Sequence, residues 1–278
     1  MALQKYPNRN ASIEKRWNKD INRRWHSAWQ KIVAIPLPEV ITNLSTSEAQ
    51  LIQFYIDQVY RIVEEEIAPA TWQNEYQRMA YERGMVQSKN DLLSILSGQE
   101  ATAAVAVLYL DLNFSEPHRV EFSFLADRAN EKLAGYIRSF LTDLTGIVRD
   151  NIGLPISTIR ALVKDRFFRM RKDAKRIATT EVNQAAQRAA LIRSMELQQA
   201  TGIQTDVRWV TAKDNRVRHL HAGWHGKIFT REQASRNMQI SPWNCRCKLH
   251  PVVKTRVPAR TNARFAKERK ALLLSQEK

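Results

Sequence analysis

The sequence predicts a mainly α-helical protein: a long-helix N-terminal region, then a small α+β C-terminal module with a short sheet. Three observations carry that expectation. Through the first two hundred residues, apolar side chains recur every three or four positions, the period of a helix with one buried face. Between Val207 and Val253 the texture changes to short β-rich segments, Arg208–Ala212 (RWVTA), Gly226–Phe229 (GKIF) and Cys247–Val253 (CKLHPVV). Of the 278 residues 44% are apolar, with only eight Gly and nine Pro, which fits a chain that builds a core and excludes low-complexity sequence.

Taken in order, residues 1–11 read as a tail. Ile13, Trp17, Ile21, Trp25, Ala28 and Trp29 then form a helical stripe over Ser12–Val33, ringed by Lys15, Arg16, Lys19, Arg23 and Arg24. Such a stripe docks on the rest of the fold or on a partner; aromatic and basic interleaving also suits nucleic acid. Pro36 and Pro38 end it. Ser47 with Gln50 resembles a capping box. It opens a helix to about Ile67 that points Leu51, Tyr55, Val59, Ile62 and Val63 inward. After Pro69 the pattern predicts one helix over Trp72–Met85 and a second over 88–98. Ala101–Phe114 fits a buried helix or a strand, and Phe114–Pro117 reads as a turn. A helix follows over Asp127–Asn151, with Leu133, Ile137, Phe140, Leu141 and Leu144 on its apolar face.

Gly153 and Pro155 mark a boundary. Beyond it Ser157 caps a short helix, and the basic run Phe168–Arg176 opens a long one. The long helix has a small-residue stripe at Ala174, Ala178, Val182, Ala185, Ala189 and Ile192, and Thr201-Gly202 ends it. After Val253 the chain is strongly basic, and Phe265 with Leu272–Leu274 suits a peripheral amphipathic helix. Four segments result: a basic arm and helix over 1–40, an acidic helical region over 41–153, a module over 154–253 and a basic tail over 254–278.

The formal net charge is +16, unevenly placed: +6 over residues 1–31, −8 over 32–159 and +18 over 160–278. A basic half suits a polyanion and an acidic middle suits a different partner. No apolar run approaches the ~20 residues of a membrane span, and the N-terminus lacks the apolar core of a signal peptide. A reducing cytoplasm is the expected site of synthesis. Two cysteines exclude a scaffold built on disulfides.

Four of the six histidines and both cysteines fall within His219–His250. His221 and His225 share a face if helical, and Cys245 and Cys247 share a face if extended. Two such pairs could enclose one tetrahedral Zn2+ as metal ligands, a structural cofactor for a module with little core. His219 and His250 are spare candidates. The plain alternative is two reduced thiols and polar surface histidines. Asp214 beside His221 also raises a metal-dependent nuclease acting on DNA, although no HExxH, Walker A or G-x-S-x-G motif is present. Arg216 and Arg218 suit phosphate contacts or pairing with Asp214.

These residues carry a resemblance. Ile177-Ala178-Thr179-Thr180-Glu181, then Asp214, Arg216, Arg218 and His221, then Pro242, Cys245, Arg246 and Cys247 resemble three successive blocks of the phage Mu F-type minor head protein family, also called the phage head-morphogenesis family. Thr179 stands where that family has Arg. The resemblance covers about 155–253. It implies a virion protein of low copy number with no enzymatic role. Such a protein sits at the portal vertex or capsid interior, and in the host cytoplasm during assembly. Its implied partners are the portal protein, other head proteins and packaged or ejected double-stranded DNA. The basic run adds an expected nonspecific DNA contact at Arg166, Arg169, Arg171, Lys172, Lys175 and Arg176.

Overall fold

The computed structural model describes residues 10–37, 46–68, 71–96, 98–100, 102, 104–105, 115–214, 216–240, 245–253 and 257–276. Their elements are α1 (Ala11–Val33), α2 (Thr46–Glu66), α3 (Thr71–Leu93), α4 (Glu116–Asp150), α5 (Ile156–Thr201), β1 (Asp206–Val210), α6 (His219–Trp224), β2 (Ile228–Phe229), α7 (Arg231–Gln239), β3 (Lys248–Val252) and α8 (Ala259–Leu274). The expected mainly helical chain with a short late sheet is what forms. Among the described residues no helix is long and apolar enough to cross a membrane.

Helix lengths differ from the sequence expectation in three instructive places. The two helices expected over 72–98 are one, α3, running through Gly84. A Cβ at Gly84 would lie 2.5 Å from the Ala186 carbonyl oxygen. The glycine therefore marks a close crossing of α3 and α5 and not a break, which outweighs its cost of about 1 kcal/mol in a helix interior. The turn expected at Phe114–Pro117 gives way, from Glu116, to the first turn of α4, where proline's missing N–H has no intrahelical partner to lose. The boundary expected before Phe168 is absent, and α5 runs unbroken for 46 residues. It ends where expected, with Gly202 at φ +69° and its N–H donating to Gln198 O at 2.8 Å. Most of Ala101–Phe114 lies outside the described residues.

The chain divides into two compact units. The first is Met1–Ile13, Tyr76–Leu125 and Thr179–Lys278; the second is Glu14–Glu75 and Ala126–Ala178. The second unit is built on aromatic packing. Trp17, Ile21, Trp25 and Ala28 of the α1 stripe are wholly buried, so the stripe docks within the protein itself. Trp17 meets Trp72 edge-on at 6.5 Å, while Trp25, Trp29, Phe140 and Phe168 surround Phe167. Edge-to-face pairs of this kind add about 0.5–1.5 kcal/mol each beyond the area they bury. The cations flanking the stripe are partly occupied. Arg24 lies over the Trp72 ring and donates to Glu66 O at 3.1 Å, and Lys31 pairs with Glu66 at 2.6 Å.

The first unit carries the sheet. Its strand order is β2-β1-β3, antiparallel throughout, with Arg208 opposite both Ile228 and His250. Val207, Arg208, Trp209 and Val210 are all buried, as a central strand covered on both faces requires. Pro251 sits in β3, an edge position that tolerates a missing donor. The terminal helix α8 is not peripheral as expected. Phe265 and Leu272 are buried, and Leu272 packs with Val217 and Ala222 of the module.

Candidate metal centre

The α5 segment that carries Thr180-Glu181 is the floor of the site. Thr180 and Glu181 are fully buried in the helix, and the amides that follow reach outward to carbonyls of the last turn of α7 and of the segment before β3. Gln184 Nε2 donates to Met238 O at 3.4 Å, and Gln187 Nε2 donates to Cys247 O. The long helix thus fixes the backbone that presents Cys247. Behind it, Leu191, Val207, Trp209, Ala234, Met238 and Leu249 form an apolar cluster with Cys247.

Three of the four expected ligand residues converge. His221 Nδ1 lies 3.6 Å from Cys245 Sγ and 3.5 Å from Cys247 Sγ, and all three donor atoms fall within 4.8 Å of one another. His221 Nε2 faces Ile240 O at 3.4 Å. That contact requires the proton on Nε2 and leaves the Nδ1 lone pair toward the sulfurs. The imidazole stacks on Trp224 at 5.2 Å and meets the edge of Trp209 at 5.5 Å. The hydrogen bond from Cys247 lowers the Cys245 thiol pKa, against the opposing effect of burial. Burial pushes the Cys247 thiol up. The cysteines precede β3 in irregular backbone, not in the extended strand that their spacing suggested.

His225 stands elsewhere. Helix α6 ends at Trp224, and His225 is its C-cap, off the face that holds His221. Its Nδ1 accepts from Thr211 N–H at 3.2 Å, so its proton is on Nε2, which donates to Glu268 Oε2 at 3.0 Å. Burial pushes the His225 pKa down, only partly offset by Glu268. Glu268 also takes the Lys213 ammonium at 3.3 Å, and Arg269 donates to His225 O at 3.0 Å. Of the spare candidates, His219 is exposed and His250 faces Asp91 at 3.4 Å.

Asp214, the acid of the nuclease alternative, is held by Arg246. The guanidinium makes a two-pronged contact at 2.5 and 2.6 Å, and the Arg216 N–H donates to the same carboxylate at 3.1 Å. Arg246 chiefly accounts for an Asp214 pKa below the usual carboxylate range. The motif residues Asp214 and Arg246 therefore brace the loops on either side of the trio.

The six expected DNA-contact residues all lie on α5 within the second unit. Arg169, Lys172 and Arg176 are exposed; Arg166, Arg171 and Lys175 are half-buried. Arg169 pairs with Asp165, Arg166 with Asp143, and Arg176 with Asp173 at 2.9 Å, while Arg171 covers the Phe168 ring.

Glu268, Thr211 and Gln187 were missed from the sequence. One signal for Glu268 existed: it is one of only two acids in the basic tail.

Residues 147–250 match the family described as Phage Mu protein F like protein. That segment contains all three motif blocks and is similar to that family along its length. No curated protein and no solved structure matches the chain.

Proposed function

We propose that this chain, which carries a Phage Mu F-like module of a phage head-related family over residues 147–250, is a structural protein of the virion. In this reading it acts in head morphogenesis at the portal or capsid interior and touches packaged DNA through α5. The observation that carries the DNA part is the exposed row Arg169, Lys172 and Arg176. These residues are three and four apart and so share one helix face. Each has a long aliphatic stem able to reach a phosphate. Asp165 and Asp173 pair with two of them on the free surface, and exposed pairs of this kind are worth only about 0–1 kcal/mol. A polyphosphate chain would therefore displace them at little cost. The contact is electrostatic and indifferent to base sequence.

The test is binding of the full chain to double-stranded DNA across a salt series. The expected result is a linear fall of log affinity with log salt. In the triple variant Arg169→Gln, Lys172→Gln and Arg176→Gln the slope should be smaller by about three, one counterion per phosphate lost. A flat salt response, or an unchanged slope in the variant, overturns the DNA contact. The virion assignment has a separate test in mass spectrometry of purified particles, with copy number measured against the portal protein. Absence from particles overturns it.

A further inference from the structure

We propose that His221, Cys245 and Cys247 bind one Zn2+ ion, with a fourth coordination position left to solvent in the small cavity beside them. The first argument is geometric. Tetrahedral zinc with bonds of about 2.3 Å to sulfur and about 2.05 Å to nitrogen needs its S and N donors about 3.6 Å apart. The two sulfur–nitrogen separations here are 3.6 and 3.5 Å. The hydrogen bond between the two cysteines does not by itself bring both sulfurs to the imidazole nitrogen. Nδ1 has one lone pair and accepts from one thiol, yet two sulfurs stand at nearly the same distance from it. A cation at their centre is the partner that all three donors share.

The second argument is chemical. Thiolate with imidazole is the soft and borderline donor set that selects zinc over magnesium or calcium. Two thiolates also cancel the charge of the dication. That neutrality matters, because Arg216, Arg218 and Arg246 line the adjoining cavity with Ala212 and Val217. Arg246 is already neutralised by Asp214. The cavity, about 10 Å3, has room for about one water, which would complete four-coordination.

The third argument is support. A ligating histidine usually donates its other N–H to a carbonyl or carboxylate, and His221 Nε2 faces Ile240 O. Gln187 anchors the Cys247 backbone, and Trp209 and Trp224, in contact with each other, both pack on the imidazole. His225 is not the fourth ligand, because Thr211 and Glu268 occupy both of its nitrogens. The ion would tie α6 to the loop that enters β3, two segments that carry little apolar surface of their own. This inference is independent of the DNA contact and stands or falls without it.

The test is the zinc content of the full chain, purified under reducing conditions without chelator and desalted after exposure to Zn2+. About one zinc per chain is expected. The variants Cys245→Ser, Cys247→Ser and His221→Ala should each fall below about a tenth of that, while His225→Gln keeps it. Because a cysteine variant can fail to fold, Co2+ is also loaded into the unaltered chain. A thiolate-to-cobalt absorption band with tetrahedral d–d intensity is expected. Less than about a tenth of a zinc per chain overturns the site. So does a cobalt spectrum without the thiolate band, or loss of zinc in a folded His225→Gln chain. A Cys245–Cys247 disulfide, seen as a chain two hydrogens lighter, overturns it equally.

Discussion

The two sides of α6 hold histidines four residues apart in opposite environments. On one side His221 meets two sulfurs and two indole rings. On the other side His225 meets a hydroxyl, a backbone N–H and a carboxylate, under the Phe265 ring. Helical spacing alone made the two histidines equivalent. What separates them is where the helix stops. With α6 ending at Trp224, His225 turns toward α8 while His221 stays toward the cysteines. One side is built for a soft cation and the other for a hydrogen-bonded clamp on the terminal helix.

The largest expected effect probes the sulfur side. Stripping zinc from the unaltered chain with a chelator should cost at least about 4 kcal/mol of stability, the linkage value for free metal at a thousandfold excess over its Kd. Thermal unfolding with and without chelator measures it. The clamp side should show no chelator dependence of its own, so the loss in His225→Gln should match that of the unaltered chain.

Next comes Glu268→Ala. It leaves His225 Nε2–H and the Lys213 ammonium, both buried, without their shared acceptor. A loss of about 2–3 kcal/mol is expected, read by denaturant unfolding, with zinc content unchanged. Loss of zinc here would break the distinction between the two sides.

Gly226→Ala should cost about 2 kcal/mol. Gly226 has φ +76°, and an added Cβ would lie 2.2 Å from Phe265 Cβ. Its cost should shrink when Phe265 is also cut to Ala, which a double-mutant cycle would detect.

The smallest effect is the pH response of the clamp. His225 is neutral in the fold and its pKa is pushed below the free value, so the unfolded chain binds the proton more readily. The stability this contributes is complete above about pH 6.5 and is lost as pH falls through that value toward the folded one. The midpoint of thermal unfolding should therefore drop between about pH 7 and pH 5, with a shallower slope in His225→Gln. An identical slope in both would assign the acid sensitivity elsewhere.

Much of this was legible in the sequence. The α1 stripe from Ile13 to Ala28 is buried as its period implies, and α5 stops at Gly202 as its composition implies. All three β-rich segments contribute strands, each trimmed by one or two residues or shifted. Helix continuity was less legible. Gly84 and Pro117 carry the same local signal whether they break a helix, pass a neighbour closely or begin one. Of the site, His221, Cys245 and Cys247 were legible because their spacing is local. The Gln187 anchor and the Glu268 clamp were not, because 60 residues separate Gln187 from Cys247 and 43 separate His225 from Glu268.

By itself, then, the sequence determined the mainly helical class, the position of the small sheet, the motif blocks that match a phage head-related family, and the concentration of positive charge after residue 160. Only the tertiary structure decided which histidine joins the cysteines, that Arg246 is the partner of Asp214, and that α8 belongs to the module's core. The physical reason is the range of the forces involved. Helical period, caps and charge are set by neighbours within a turn or two of chain. Ligand convergence and buried ion pairs depend on how distant segments cross, and the choice between His221 and His225 turned on where one short helix ends.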